Sequence, residues 1–158
     1  LQLYHFGQTI SIPFWTDNWK PTSFYNKIKQ NKSIGLHTLC LLDIKVKEIS
    51  EDNLIKGINK YDKPTFMTVN IAIKQLLEIE KNQNDKILGN NVYCIGMARI
   101  GHETQQIIYD KMITLLDVDF GDPLHCLVIP GKNKLHDIEL DVLKYYNNIY
   151  QNNNNNIK

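Results

Sequence analysis

The amino-acid sequence predicts a single α/β domain, with a mixed, mostly covered sheet of four to five strands and about four helices. Apolar runs of strand length alternate along the chain with longer segments in which apolar residues recur at helical spacing. The strongest runs are apolar on both faces, which is typical of a sheet covered on both sides. A length of 158 residues suits one domain with one core.

The first strands and the first helix are predicted near the start of the chain. Residues 8–13 alternate polar and apolar side chains, as a strand does. An aromatic loop occupies residues 14–19, and Pro21 then begins a helix that extends to about Asn31. Residues 37–44 are the clearest strand, because both of its faces are apolar.

Two helices and a loop are predicted in the middle of the chain. Ser50 is a candidate cap for a short helix over residues 50–60. Thr68 is a good N-cap for a second helix, in which an apolar stripe continues to about Glu80. Residues 82–91 are polar and predict a loop.

The remaining strands are predicted in the second half of the chain. Residues 92–101 form a strand that is apolar on both faces, and residues 105–109 form another before a short helix over residues 111–116. A Gly-Asp-Pro turn at residues 121–123 precedes a strong apolar strand over residues 125–129.

A helix and a polar tail are predicted at the end. Apolar residues recur at helical spacing over residues 138–149, and residues 152–156 are all asparagine, a composition typical of disorder. We therefore expect a folded domain over residues 1–150 and a disordered tail over residues 151–158. The apolar start at Leu1, without an initiator methionine, indicates part of a longer protein.

The composition argues against several classes of function. A formal net charge of +1 is unlike that of a dedicated nucleic-acid binder or a polybasic membrane binder. No apolar run approaches the roughly 20 residues that span a bilayer, and residues 1–6 lack the features of a signal peptide. Three distant cysteines without a Cys-x-x-Cys pair indicate buried thiols in a reducing compartment, so we expect a cytoplasmic protein.

Candidate chemistry lies at the strand ends, where ligands usually bind in covered sheets. Three such ends are residues 41–44, 96–101 and 121–125. Gly96 and Ala98 present a small face that admits either a ligand or a neighbouring helix, and the sequence favours the helix.

Two side chains at these ends each have two interpretations. A buried Arg99 needs a partner, which is either Asp117 or Asp119, or else an anionic group of a ligand. For His125 a hydrogen-bonded structural role is favoured over that of a catalytic base. The histidines lack metal-ligand spacing, and there is neither a phosphate loop nor a nucleophile elbow, so no catalytic residue is predicted.

Several stretches of the chain resemble the diphthine synthases, also called diphthine methyl ester synthases. The resemblance covers nearly the whole chain except residues 82–91 and the asparagine tail, and the aromatic loop followed by HTLCLLDIKVKE is its most specific part. The matching stretches are LQLY and FG near the start, SIPFWTDNWKP at 11–21, HTLCLLDIKVKE at 37–48, NLIKG at 53–57, GMARIG at 96–101 and VDFGDPLH at 118–125.

This resemblance implies a fold like that of the tetrapyrrole methylases, in which two α/β domains hold S-adenosylmethionine between them. The chain corresponds to the C-terminal domain, and the family's N-terminal glycine-rich loop, GDP motif and Ser-Ile pair are missing from it. The implied cofactor contacts are Leu42, Ile100 and His125, with Ala98 and Arg99 as neighbours and Pro123 and Leu124 along the site.

The resemblance also implies a reaction and partners. The family methylates a modified histidine of translation elongation factor 2 during diphthamide biosynthesis, as a cytoplasmic homodimer, and its eukaryotic branch, which the sequence favours, also forms a methyl ester. With half of the cleft absent, we expect this chain alone to bind the cofactor weakly. A non-enzymatic alternative is a protein-interaction domain that uses Trp15, Trp19 and a lysine-rich helix. The lysines concerned are Lys20, Lys27, Lys29 and Lys32.

Overall fold

The computed structural model describes residues 1–46, 55, 57, 61, 63–131 and 135–155, and gives residues 151–155 as backbone only. Within these residues the chain forms a five-stranded sheet, a two-stranded ladder and four helices. The strands are β1 Ile10–Ile12, β2 Thr38–Leu42, β3 Ile44–Lys45, β4 Thr65–Phe66, β5 Tyr93–Ala98, β6 Gln106–Lys111 and β7 His125–Ile129; the helices are α1 Ser23–Ser33, α2 Val69–Gln83, α3 Met112–Leu115 and α4 Asp137–Asn155.

The five-stranded sheet is mixed, with the order β1-β2-β7-β5-β6. Strands β1 and β2 are parallel and are connected through α1, whereas all other neighbours in this sheet are antiparallel. Strand β7, the last along the chain, lies between β2 and β5. The predicted α/β class with a mixed sheet is confirmed.

One face of the sheet packs against α1, α2 and α3 and forms the larger core. Helix α2 begins as predicted, because the Oγ1 atom of Thr68 accepts a hydrogen bond from the N–H group of Ile71. Its apolar stripe, which includes Ala72, Ile73 and Leu76, is fully buried. Burial of each large aliphatic side chain in this core contributes about 1.5–3 kcal/mol to stability.

The opposite face of the sheet is covered by α4 over only part of its area. Leu143 of α4 is buried in a cluster with Ile95 and Val128. Leu41, which lies on the same face at the end of β2, is 48% exposed. The expectation that both faces of β2 are covered is wrong at this end, because α4 packs mainly along β6, at the far edge of the sheet.

The boundaries of β1 and α1 are narrower than predicted, for reasons visible in their hydrogen bonds. The Asn31 side chain donates to the carbonyl oxygen of Gln8 at 2.9 Å and accepts from its N–H group, so Gln8 pairs with a helix and not with β2. The carbonyl oxygen of Pro21 accepts a hydrogen bond from Nε1–H of Trp15 at 3.1 Å. Pro21 therefore belongs to the aromatic loop, and α1 begins at Ser23.

Two predictions concern segments at the limits of the described residues. Helix α4 continues to Asn155, so its backbone passes the predicted domain boundary at residue 150, and the disorder of the tail stays a prediction. The helix predicted over residues 50–60 lies outside the described residues, apart from residues 55 and 57.

The carboxylate of Glu80 organises the loop that follows α2. It accepts hydrogen bonds from the N–H groups of Lys86 at 2.6 Å, Ile87 at 3.3 Å and Leu88 at 2.9 Å, and a fourth from the hydroxyl group of Tyr25. Burial would raise the pKa of Glu80, but these hydrogen bonds outweigh it and the pKa is lowered. Burial and the neighbouring carboxylate raise the pKa of Tyr25.

A buried hydrogen-bond network, centred on Glu139, joins the N-terminal segment to β2 and α4. Oε1 of Glu139 accepts from the N–H group of Tyr4 and from Nε2–H of His37, both at 2.9 Å. Oε2 accepts from the N–H group of His136 at 2.9 Å, which is the carboxylate half of a capping box at the start of α4. The N–H group of Gly131 donates to Nδ1 of His37, so the proton of this imidazole lies on Nε2.

The Glu139 network is linked to acid stability. Burial would raise the pKa of Glu139, but the hydrogen bonds from Tyr4, His136 and His37 outweigh burial, and the pKa is lowered. A carboxyl group with a lowered folded pKa contributes stability above its unfolded pKa of about 4.3. That contribution is lost as the pH falls through the folded pKa.

We expect Glu139→Gln to lower the free energy of unfolding at neutral pH by about 1–3 kcal/mol, because the amide cannot accept from all three donors. The difference from the wild type should shrink as the pH falls from neutral through the lowered folded pKa of Glu139. Urea unfolding between neutral and acidic pH measures this difference in the free energy of unfolding. The control is Glu103→Gln, at an exposed position. A difference that stays constant with pH would show that ionisation of Glu139 does not stabilise the fold.

Candidate functional site

An open cleft lies where the C-terminal ends of β2 and β5 meet the N-terminal end of β7. Its volume is about 1030 Å³. The three strand ends that the sequence singles out are therefore brought to one place. The residues that line the cleft are Leu41, Leu42, Ile44, Arg99, Ile100, His102, Thr104, Asp122, Pro123, Leu124, His125 and Cys126.

The structure brings together four of the five predicted cofactor-site residues. Leu42, Arg99, Ile100 and His125 all line the cleft. Ala98 does not line it, because it is fully buried beneath the cleft, where it pairs with His125 across β5 and β7. The placement agrees with one shared site, and the role of these residues in binding a cofactor stays a prediction.

Gly96 is covered by protein and not left open for a ligand, but the nearest group comes from a loop, whereas the sequence favoured a helix. A Cβ atom at this position would lie 2.3 Å from the ring of Phe120 and 3.2 Å from the side chain of Val69, the first residue of α2. Phe120 is itself buried. The small face of β5 is therefore filled by protein and does not receive a ligand.

Arg99 binds backbone carbonyl groups, and neither predicted carboxylate partner is used. Its Nη1 donates to the carbonyl oxygens of Phe120, at 2.7 Å, and of Asp122. Its Nε donates to Oγ1 of Thr104 at 2.9 Å, and its Nη2 to the carbonyl oxygen of Thr104 at 2.9 Å. Asp119 instead accepts a hydrogen bond from the N–H group of Gly121.

His125 is held by the turn that precedes its own strand. Its Nε2 lies 3.1 Å from the carbonyl oxygens of both Gly121 and Asp122. Carbonyl oxygens only accept hydrogen bonds, so Nε2 carries the proton and Nδ1 is left as an acceptor. Nδ1 is buried and has no hydrogen-bond partner in the described part of the chain. The structural role is confirmed for Nε2, and Nδ1 remains open to a donor.

Asp43, directly after β2, fixes the backbone between the cleft residues Leu42 and Ile44. Its carboxylate accepts hydrogen bonds from the N–H groups of Phe14 at 3.0 Å and Ile44 at 2.9 Å. The Asp43 N–H group also donates to the carbonyl oxygen of Ile12. These contacts anchor the aromatic loop and the end of β2 to each other.

Sequence reasoning missed two polar residues of the cleft, His102 and Thr104. The N–H group of Thr104 donates to Nδ1 of His102, so both belong to one tight turn after β5. The GMARIG motif marks the start of this turn. The residues at the end of this turn could have been inferred only from the contacts of Arg99, and these contacts are not visible in the sequence.

The rim of the cleft is apolar and exposed. Ile100 is 54% exposed and Leu124 is 56% exposed, and Leu41 and Ile44 are also exposed. Contiguous exposed apolar groups of this kind mark a surface that binds a ligand or a partner.

The cysteines are less uniformly buried than predicted. Cys40 and Cys94 are fully buried, and burial raises the pKa of both thiols. Cys126 is only half-buried and lines the cleft, and burial also raises its pKa. All three thiols are free.

The alternative interaction surface is largely occupied by contacts within the chain. Lys20 forms an ion pair with Glu78 at 3.0 Å and lies over the ring of Trp15, and Lys29 forms an ion pair with Asp85 at 2.7 Å. Because these charges are compensated, the surface is less suited to an acidic partner than the lysine count suggests.

Comparison with known proteins finds relatives that match nearly the whole chain. The chain is 50% identical over 146 residues to diphthine methyl ester synthase from Dictyostelium discoideum, which covers 92% of the chain and 53% of that protein. It is 47% identical over 150 residues to the human diphthine methyl ester synthase, which covers 92% of the chain and 52% of that protein. No family model matches the chain.

Solved structures give the same result. A structure from Entamoeba histolytica, described as a diphthine synthase, superposes with a TM-score of 0.80 and 45% identity, over 92% of this chain and 52% of that one. Another diphthine synthase structure superposes with a TM-score of 0.66 and 26% identity, over 90% of this chain and 45% of that one. The chain is homologous to the C-terminal part of the diphthine methyl ester synthases.

The diphthine methyl ester synthases that it matches are about twice as long as the matched region, so the chain spans about half of their length. Among the described residues, no helix is long and apolar enough to cross a membrane.

The packing of Phe120 on Gly96 predicts the sign of the stability change that Gly96→Ala causes. In a strand interior, Gly→Ala normally stabilises by about 0.5–1 kcal/mol. We expect Gly96→Ala instead to destabilise by about 1–3 kcal/mol, because the new methyl group meets the Phe120 ring.

Chemical denaturation measures the effect of Gly96→Ala. The double variant Gly96→Ala/Phe120→Leu should recover part of the loss relative to Phe120→Leu alone, because the smaller side chain leaves room for the methyl group. A stabilising Gly96→Ala would show that the two residues are not in close contact.

Proposed function

We propose that this chain is part of an S-adenosylmethionine-dependent methyltransferase of diphthamide biosynthesis, and that the cleft is one wall of its cofactor site. The observation that carries the proposal is the convergence of Leu42, Ile100 and His125 on one open cleft. The homology to diphthine methyl ester synthases supports it.

The groups present in the cleft suit S-adenosylmethionine. Leu42 and Ile100 offer aliphatic side chains, which pack well against a flat adenine ring. Nδ1 of His125 is a buried acceptor without a partner among the described residues, and the amino and hydroxyl groups of the cofactor are donors. The apolar rim supplies the remaining surface.

The chemistry that the cofactor supplies when bound is an electrophilic methyl group on a sulfonium. The residues of this chain have the tasks of orienting the cofactor and of excluding water from one side of the site. Leu124 and Ile100 exclude water through their apolar side chains, and His125 orients through a side chain that its own turn holds in place. We assign no catalytic base to the chain.

The substrate, partners and location follow from the same proposal. The acceptor is the modified histidine of translation elongation factor 2, and its amino and carboxylate groups are the methylated positions, with formation of a methyl ester. The enzyme works as a homodimer in the cytoplasm, where this acceptor is found. The exposed apolar rim suits coverage by the other half of the enzyme.

We expect the chain alone to bind S-adenosylmethionine more weakly than about 1 μM, because only one wall of the site is present. A chimaera that joins the unmatched part of the Dictyostelium relative to this chain should bind it at least about tenfold more tightly. Titration calorimetry measures both. Sub-micromolar binding by the chain alone would contradict the shared-cleft arrangement, and a folded chimaera without binding would contradict the proposed cofactor.

The cleft position can be tested within the chimaera. Ile100→Asp should weaken cofactor binding by at least about tenfold, because it places a charge against the ligand in the cleft. Ile113→Asp is the matched control, since Ile113 is also exposed, at 42%, but lies on α3. Equal effects of the two substitutions would argue against this cleft as the site.

A further inference from the structure

We propose that Arg99 is a positioning residue of the cofactor site, which fixes the proton and orientation of His125 and does not itself bind an anionic ligand group. The effect of Arg99 on cofactor binding rests on the proposed function, whereas its effect on His125 can be tested without it. It follows from the hydrogen bonds of one guanidinium group to two loops that both line the cleft.

The first loop follows β5 and is held at Thr104. Nε and Nη2 of Arg99 bind Oγ1 and the carbonyl oxygen of this residue. The loop is also closed by Gln105, whose Oε1 accepts from the N–H group of Gly101. Ile100, on the apolar rim, lies within the same loop.

The second loop precedes β7 and is held at two carbonyl groups. Nη1 of Arg99 donates to the carbonyl oxygens of Phe120 and Asp122. Gly121 lies between them with a φ of 65°, a conformation that favours glycine, and a Cβ atom there would lie 3.4 Å from Nη1 of Arg99. The backbone thus turns around the guanidinium group.

The connection to His125 is a shared acceptor. The carbonyl oxygen of Asp122 accepts from both Nη1 of Arg99 and Nε2 of His125. Arg99 therefore holds in place one of the two carbonyl oxygens that keep the His125 proton on Nε2, and the other is that of Gly121. This tautomer leaves Nδ1 as an acceptor that has no partner among the described residues.

The residue type supports this role. Arg99 is the sole arginine among the 18 basic residues of the chain, and all the others are lysines. A planar guanidinium fork can bind several fixed carbonyl oxygens at once, whereas an ammonium group is a compact point charge. All three guanidinium nitrogens already donate to protein oxygens. A lysine would retain the charge but could not bridge both loops.

The structural part is tested by NMR on the chain itself. Because the chain has one arginine, every guanidinium signal comes from Arg99. We expect separate Nη signals, as hydrogen bonds slow rotation of the group, and His125 nitrogen shifts typical of the Nε2–H tautomer. In Arg99→Lys the His125 shifts should move toward a mixture of tautomers, and in the control Lys74→Met they should not. Averaged Nη signals, or an unchanged His125 in Arg99→Lys, would overturn the proposal.

The functional part is tested by cofactor titration of the chimaera. Arg99→Lys and Arg99→Met should both raise the Kd for S-adenosylmethionine by about tenfold, and Lys74→Met should change it by less than about twofold. Turnover at saturating cofactor should change far less than Kd, as expected for a residue that prepares the site. If Arg99→Lys kept the wild-type Kd while Arg99→Met did not, the positive charge would be the property that matters. That outcome would overturn the positioning role.

The variant Thr104→Val keeps the proposal testable if Arg99 variants unfold. It removes one acceptor of the guanidinium group and should raise Kd by about threefold; an unchanged Kd would count against the proposal. If the wild-type chimaera binds no cofactor, the proposed function fails, while the NMR result still decides whether Arg99 fixes His125.

Discussion

The insertion of β7 between β2 and β5 is the constraint on which the cleft depends. The backbone ladder pairs Leu41 with Cys126 on one side and Ala98 with His125 on the other. The N–H group of Arg99 continues the second ladder by donating to the carbonyl oxygen of Leu124 at 2.9 Å. Three segments that are distant in sequence thus acquire fixed neighbours through main-chain hydrogen bonds alone.

This arrangement explains which parts of the fold could be predicted from the sequence. The runs that became β2 and β7 are apolar after their first residue, and α2 combines a cap at Thr68 with a regular stripe, so each element is defined by local residues. The order of the strands is not local, because it depends on pairing between segments far apart in the chain. The exposed end of β2 at Leu41 follows from that order and could not be predicted separately.

The site was predictable to a similar degree. The resemblance selected Leu42, Ile100 and His125, and the structure places all three along one cleft. It also selected Ala98, which is buried. The interpretation of Arg99 required a choice between side-chain partners and a ligand, yet its acceptors are mostly backbone carbonyl groups. Residue patterns show which side chains carry charge, but not where the main chain presents its oxygens.

The cleft is suited to a reaction that depends on alignment. Several of its polar groups are bound to the protein itself, as with Nε2 of His125, and its rim is aliphatic. Methyl transfer from a sulfonium needs a correctly placed acceptor and little water, and neither a metal ion nor a covalent enzyme intermediate is part of such a displacement. For such a reaction a rigid site matters more than side chains that gain or lose a proton.

The Glu139 network has a consequence for how the molecule opens. The hydrogen bond from Tyr4 to Glu139 joins residues separated by 135 positions, and the same carboxylate caps the start of α4. Fluctuations that break this contact release the N-terminal segment and the first turn of α4 together. We therefore expect these two regions to open together as one cooperative unit, separately from the α2 side of the sheet.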